Sequence, residues 1–355
     1  MNSTVKYYNV KEDLEKYSEA WLYIAWSKRG AGKTYGALLT ALDLNIKIVY
    51  IKRTMDDVNL ICSGDMGADF SPYKPINRDT DYNIKPKLLR PGIGAFYHTN
   101  SDGDPDGLPV AYCLALSGVR KYKGFDLSDC DWIVFDEFIP QLGERINRNE
   151  GEQLLDLYMT IQRDRTLRNR PDLKLILFAN AVDISSPVTN LLNVSDDMAE
   201  MVQNGAEYEF NTDRGILLHF LPPQKYASGG EESLIEKSMK NTRWGAMAFS
   251  GEFAFNDFSN VEKLRSKNMQ PLLSLHYNLN NYYIYVNRQQ GVFYMTSKRY
   301  GNFDLHYDLD TDNGYRKFHL DYLYILQDKT INGIMRYERY SMYDLIMNYK
   351  KYFKV

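Results

Sequence analysis

The chain has 355 residues, 43 Lys+Arg against 46 Asp+Glu, 44% hydrophobic and 14% aromatic residues. That length suits about two domains, and the apolar content excludes wholesale disorder. No apolar run nears the ~20 residues of a membrane-spanning helix, and the polar opening MNSTVKYYNVKEDLEKY does not read as a secretory signal, so a soluble cytosolic chain is expected.

In chain order, Trp21–Trp26 (WLYIAW) reads as a buried strand running into SKRGAGKT and a helix over Tyr35–Leu44. A second apolar strand, Lys47–Ile51, ends at Lys52 and Arg53, which completes a βαβ unit of a parallel sheet. Ser71–Pro109 is rich in Pro, Gly, Asn and Asp and reads as an exposed insertion, with a hairpin around GIGAFYH and VAYCLAL. The parallel pattern resumes with a strand at Asp131–Phe135, a helix over Glu150–Arg168 and a strand at Leu173–Ala179. Such alternation predicts an α/β sheet covered on both faces. Leu221–Gly230 (LPPQKYASGG) reads as a linker and Glu231–Asn241 as a short charged helix. Beyond Val261 the pattern becomes hairpin-like, NYYIYVN and VFYMTS around a turn at Arg288–Gly291, with a closing helix over Ser341–Phe353. The expected division is 1–221, 222–258 and 259–355.

Three cysteines (Cys62, Cys113, Cys130) and five histidines (His98, His219, His276, His306, His319) lack CxxC or HxxxH spacing, so neither a disulfide framework nor a zinc site is expected. No serine sits in a nucleophile-elbow pattern. From Ser259 on there are 14 Lys+Arg, 9 Asp+Glu and 15 of the 29 tyrosines, a net of +5 against −8 for the preceding residues. A basic, tyrosine-rich module is compatible with binding a phosphate backbone. The plainer reading, which composition favours, makes those tyrosines half-buried strand residues.

The chemistry concentrates in the first part. Ser27–Thr34 (Ser27, Lys28, Arg29, Gly30, Ala31, Gly32, Lys33, Thr34) nearly matches G-x-x-x-x-G-K-[ST], with Ser27 in place of the first glycine. Small residues before a helix N-terminus let successive backbone N–H groups wrap a phosphate. Lys33 would reach the outer phosphates and Thr34 would offer its hydroxyl to Mg²⁺. Ile133–Glu137 (IVFDE) is an apolar strand ending in two acids; Asp136 would hold Mg²⁺ and Glu137 would polarise the attacking water. Asn180 ends the strand LKLILFAN, either as a sensor of the terminal phosphate or as a turn cap. In Gln162–Arg170 (QRDRTLRNR) the arginines offer a cation to a neighbouring subunit's phosphates or a solvated helix end.

Taken together, SKRGAGKT, the strand end YIKR, IVFDEFI, RDR (Arg163–Arg165), NAV (Asn180–Val182) and YIYVNRQQGVFYM resemble the DNA packaging ATPases of small tailed phages, the phi-29-like group. The resemblance implies a P-loop NTPase of the additional-strand, catalytic-glutamate type, related to large terminase ATPases. It implies a C-terminal domain similar to an RNase H-type nuclease without its catalytic function, and no convincing Asp/Glu constellation is visible in the sequence from Ser259 on. It further implies a homo-oligomeric ring, a pentamer, on the capsid portal, driving double-stranded DNA inward with ATP and Mg²⁺. In some relatives a structural RNA bridges motor and portal. By the same resemblance the arginine finger acting in trans falls on Arg163, with Arg165 the alternative and Lys123 a trans-acting lysine. Such a protein works in the host cytoplasm during virion assembly, is absent from the mature virion and has no membrane partner. A different ring translocase or helicase, or a non-catalytic nucleotide-regulated scaffold, are the competing readings.

Overall fold

The computed structural model describes residues 7–63, 69–122, 124–141, 144, 147–180, 183–222, 225–226, 234–239, 241–242, 245, 256–264 and 268–355. The chain divides into two compact units, 1–192 with 200–255, and 193–199 with 256–355.

The first unit is built on a nine-stranded sheet. Its strands are β1 (Leu22–Ser27), β2 (Ile48–Lys52), β3 (Ile84–Arg90), β4 (Ile93–Thr99), β5 (Pro105–Ala115), β6 (Trp132–Asp136), β7 (Lys174–Asn180), β8 (Tyr208–Asn211) and β9 (Ile216–Leu221). They lie in the order β3-β4-β5-β2-β6-β7-β1-β9-β8. The run from β5 to β9 is parallel, while β3, β4 and β8 are antiparallel additions at the two edges. Every residue of β1 is buried, as are the five inner residues of β7. That continuous apolar run is the signature of a parallel strand covered on both faces.

Helix α1 (Val10–Lys16) is capped by the Asn9 side chain, and α2 (Lys33–Asp43) starts directly at the glycine loop. Helix α3 (Met55–Cys62) opens with a reciprocal capping box between Thr54 and Asp57. The long helix Glu150–Thr166 precedes β7.

The expected exposed insertion at 71–109 is corrected. It contributes the helix Lys74–Asp79 and most of a three-strand meander that extends the sheet. Tyr73, Ile76, Ile84 and Phe96 are among its core residues. Two of its prolines are placed where a ladder tolerates them: Pro86 is on β3, the edge strand, and Pro105 opens β5.

The second unit carries a five-stranded sheet, β13-β10-β11-β12-β14, from β10 (Gln270–Tyr277), β11 (Asn280–Asn287), β12 (Val292–Thr296), β13 (His306–Asp308) and β14 (Met335–Tyr337). Strands β10, β11 and β12 are antiparallel neighbours, β13 runs parallel to β10, and β14 parallel to β12. The sequence pattern gave no sign of the helical stretch between Asp312 and Ile331, which Thr311 caps. Residues 193–199 join this unit because Asp196 accepts from the Ser341 amide at 2.8 Å and its hydroxyl at 2.7 Å. Tyr285, Tyr294, Tyr307, Tyr337, Tyr340 and Tyr349 are buried, so tyrosine here serves largely as core. Among the described residues, no helix is long and apolar enough to cross a membrane.

Candidate functional site

Three adjacent parallel strands, β1, β7 and β6, deliver Ser27, Asn180 and Asp136 at their carboxyl ends, with Ser27 level with Asn180 in the ladder. The carboxyl edge of a parallel sheet is where α/β folds bind ligands, because loops rather than strands fill the space beyond it. Here the loop between β1 and α2 turns through Gly30 (φ 82°) and Gly32 (φ 80°), left-handed conformations that favour glycine. Gly32 is the N-cap of α2 and has no side chain to satisfy the first-turn amides. Those donors and the helix dipole therefore face an open cleft of about 390 Å³. Its size falls within the roughly 300–1,000 Å³ of ligand pockets.

Lys33 is 7% exposed and points along this cleft. Its Nζ donates to Ser27 Oγ at 2.5 Å and lies 3.5 Å from both Lys28 O and Asn180 Oδ1. Ser27 Oγ in turn donates to Lys28 O at 2.5 Å. Serine at the first loop position thus holds the lysine amine. Burial lowers the Lys33 pKa to about 8, against the opposing pull of Asp136 and Glu137. Among the described residues this desolvated cation has no direct carboxylate partner in the cleft, which favours an anionic ligand.

Across the cleft, Thr34 Oγ1 donates to Asp136 Oδ2 at 2.7 Å. These are the two groups the sequence assigns to a metal ion. A hydroxyl beside a carboxylate, next to a loop of amides, is an oxygen donor set that suits Mg²⁺ shared with phosphate oxygens. Glu137 stands beside them with φ 55°, a left-handed conformation uncommon for a residue other than glycine and costly by about 1–3 kcal/mol. The surroundings hold it there. Arg53 donates to the carbonyls of Glu137 and Phe138, both at 3.0 Å, while its Nε pairs with Glu150 at 2.6 Å and a terminal nitrogen with Glu144 at 3.0 Å. Phe138 N donates to Phe178 O on β7. The Glu137 carboxylate accepts at Oε1 from Gln141 Nε2 at 3.2 Å and Asn180 Nδ2 at 3.3 Å. Arg29 holds Gln141 in turn, through a 2.7 Å bond to its Oε1.

The structure therefore brings together Ser27, Lys33, Thr34, Asp136, Glu137 and Asn180, and Arg29, Gly30, Ala31 and Gly32 also line the cleft. Arg53 and Gln141 were missed as members of the site. The strand end YIKR pointed at Arg53 without giving it a partner, and nothing local marked Gln141. Arg163 is exposed in the last turn of Glu150–Thr166 and does not line the cleft. Arg165 is a different residue altogether, and its reading as a trans-acting cation is corrected. It is 1% exposed. It donates to the carbonyls of Pro171 (2.9 and 2.6 Å) and Cys130 (2.5 Å), and pairs with Asp131 at 2.9 Å. Its charge is consumed in tying the helix end to the strand start. Lys123 lies outside the described residues.

In the second unit, a grouping not visible from sequence spacing appears: His276, Asp308 and Asp310 place ligand-type atoms within 4.8 Å of one another. Strand pairing sets His276 level with Asp308. Both Asp310 oxygens accept from Asn278 N at 3.1 Å, Asp308 Oδ1 accepts from Asp310 N at 3.2 Å, and His276 Nδ1 lies 3.1 Å from Asn281 Oδ1. These contacts brace turns.

Comparison with known proteins adds the following. A family model described as Podovirus DNA encapsidation protein (Gp16) matches residues 105–339. The chain is 22% identical over 292 residues to the DNA packaging proteins of Bacillus phages PZA and phi29, covering 80% of this chain and 77% of each relative. It is 26% identical over 196 residues to that of Bacillus phage B103, covering 54% of this chain and 56% of the relative. Among solved structures, the bacteriophage Phi-29 viral genome packaging motor assembly matches with a TM-score of 0.64 at 20% identity, over 98% of this chain and 99% of that one. The Phi-28 gp11 DNA packaging motor matches at 0.60 and 16% identity, over 99% of both chains. At such identities the two structures speak for the fold.

Proposed function

This chain belongs to the Podovirus DNA encapsidation protein (Gp16) family, the phi-29-like packaging ATPases, and from that premise we propose that it hydrolyses ATP at the interfaces of a homo-oligomeric ring, a pentamer, to drive double-stranded DNA through the portal into a preformed capsid. The observation that carries the reading is the convergence of a buried lysine, a hydroxyl–carboxylate pair and a strained glutamate on one glycine-lined cleft. We read this as a P-loop site of the catalytic-glutamate type.

In the proposed mechanism, the amides of Gly30–Thr34 and the Lys33 amine bind the phosphates, Lys33 exchanging its contact with Ser27 for a phosphate oxygen. Thr34 and Asp136 would hold Mg²⁺, which would supply positive charge to offset that of the phosphates. Glu137 orients the attacking water and takes its proton. Its left-handed backbone, fixed by Arg53, aims the carboxylate into the cleft instead of along the strand. Asn180 bonds both Lys33 and Glu137, so loss of the terminal phosphate is felt at β7. Arg163, outside its own cleft, serves the neighbouring subunit's site, with Lys123 as a second trans-acting group.

The second unit is proposed to be a vestigial RNase H-type fold that binds DNA through its phosphates and does not cut it. Support comes from its net charge and from the turn-bracing bonds that occupy His276, Asp308 and Asp310. We place the protein in the host cytoplasm during assembly and outside the mature virion, with the portal and, as in some relatives, a structural RNA as partners.

The test is a packaging reaction with portal-bearing empty capsids, double-stranded DNA and ATP. DNA becoming resistant to added nuclease only when this protein and ATP are both present is the expected result. Strand separation of a forked duplex without capsid-protected DNA would sink the proposal in favour of a helicase.

A further inference from the structure

One residue lining the cleft has no part in the hydrolytic chemistry. Asp136, Glu137 and Asn180 stand with the Lys33 amine and Thr34, and Tyr35, the next residue in the first turn of α2, completes the lining. A phosphate chain whose last member meets Glu137 presents its first member near that turn, so whatever is esterified to it leaves the cleft there.

An aromatic ring on a fixed support stands at this exit. Tyr7 is 54% exposed, yet the backbone beside it is anchored. Tyr8 N donates to Ala31 O at 3.0 Å, and the buried Tyr8 ring donates its hydroxyl to Asp13 at 2.8 Å. The Tyr7 ring covers Gly32 so closely that a Cβ at that glycine would sit 2.8 Å from its Cδ1. Its centroid lies 6.4 Å from that of Tyr35, with the rings inclined by 40°. An exposed ring and a second, half-buried ring thus continue the phosphate cradle. These are the surfaces on which a planar heterocycle stacks.

We propose that Tyr7 and Tyr35 form the platform for the base and ribose of the bound nucleotide, with a purine stacked on Tyr7. The proposal rests on reading the glycine loop as a triphosphate cradle. It makes the segment before α1 part of the nucleotide site, a role no motif in the sequence announces.

The experiment compares equilibrium binding of ATP and of inorganic tripolyphosphate, each with Mg²⁺, to the full chain and its Tyr7→Ala, Tyr7→Phe and Tyr35→Ala variants. Tripolyphosphate reads the cradle alone. Tyr7→Ala should weaken ATP roughly 5- to 150-fold, the range of one base–aromatic stack, and leave tripolyphosphate unchanged. Tyr7→Phe should bind ATP as the parent does, and Tyr35→Ala should lose ATP affinity selectively. Unchanged ATP affinity in Tyr7→Ala overturns the platform while leaving the cradle intact. An equal loss for both ligands overturns it too, by showing that Tyr7 acts through the shape of the loop at Gly32. If the parent chain binds neither ligand, the cradle reading itself fails and takes the platform with it.

Discussion

Each compact unit gathers acidic side chains where parallel strands lie side by side, and the two gatherings differ in what remains to be satisfied. At the ends of β6 and β7, Asp136, Glu137 and Asn180 surround a cleft holding a desolvated lysine and a helix N-terminus. Beside β10 and β13, His276, Asp308 and Asp310 also converge, but there the Asn278 and Asp310 amides donate to the carboxylates and His276 lies 3.6 Å from Asp310. Convergence of carboxylates is therefore weak evidence of chemistry. A cavity, a desolvated cation and a strained backbone at the reacting group distinguish the first case from the second.

The sharpest way to break this contrast is through the arginines of Glu150–Thr166, which sit two residues apart with opposite surroundings. Arg163→Ala should lower ATP turnover of the assembled protein by about 10³–10⁵-fold, the usual worth of an arginine finger, while changing thermal stability far less than Arg165→Ala does. Mixing it with Glu137→Gln subunits should restore part of the rate. No recovery would rule out a shared site. Arg165→Ala should do the reverse, costing roughly 2–6 kcal/mol in denaturant unfolding because the carbonyls of Pro171 and Cys130 lose a buried donor, at about 1–3 kcal/mol each, and Asp131 loses its ion pair. Undiminished stability there would refute the structural role.

Lys33 offers a smaller effect with a definite sign. Its folded pKa of about 8 lies below the ordinary 10.5 because it is buried. Below pH 8 the folded state carries a charge it holds poorly. Between 8 and 10.5 the unfolded chain binds the extra proton, so stability rises with pH. Lys33→Met should make the nucleotide-free protein more stable at pH 7 by up to about 3 kcal/mol, with the advantage vanishing as pH climbs through that window. A variant less stable than the parent at pH 7 would show that the amine is not a strained cation. The smallest effect belongs to the second gathering. Asp310→Asn should cost about 1 kcal/mol or less and leave ATP turnover unchanged, and a large loss of turnover would give that cluster a part in the reaction.

Much of the site was legible because its residues sit on local signals. The predicted strands before the loop, before Lys52 and before Asp136 agree with β1, β2 and β6 to within a residue, since parallel strands buried on both faces are uninterrupted apolar runs. The loop glycines and the Asp-Glu pair declare themselves by spacing. The β4–β5 hairpin was legible in GIGAFYH and VAYCLAL, but β3 and the early start of β5 were hidden because Pro86 and Pro105 read as loop, a reading that fails on an edge strand and at a strand's start. Partnerships across long separations left no trace. Arg53 reaches Glu150, Gln141 links Arg29 to Glu137, and Asp196 binds Ser341, each set by tertiary approach alone. Arg163 and Arg165 looked interchangeable in sequence because a helix end exposes one position and buries its neighbour two places on.

The most direct measurement sets ATP binding beside ATP turnover in the parent chain and in Glu137→Gln. The account predicts binding retained within a few-fold and turnover reduced by about 10²–10⁴-fold, as expected when a general base is removed from an intact cradle. Turnover persisting at the parental rate would contradict it.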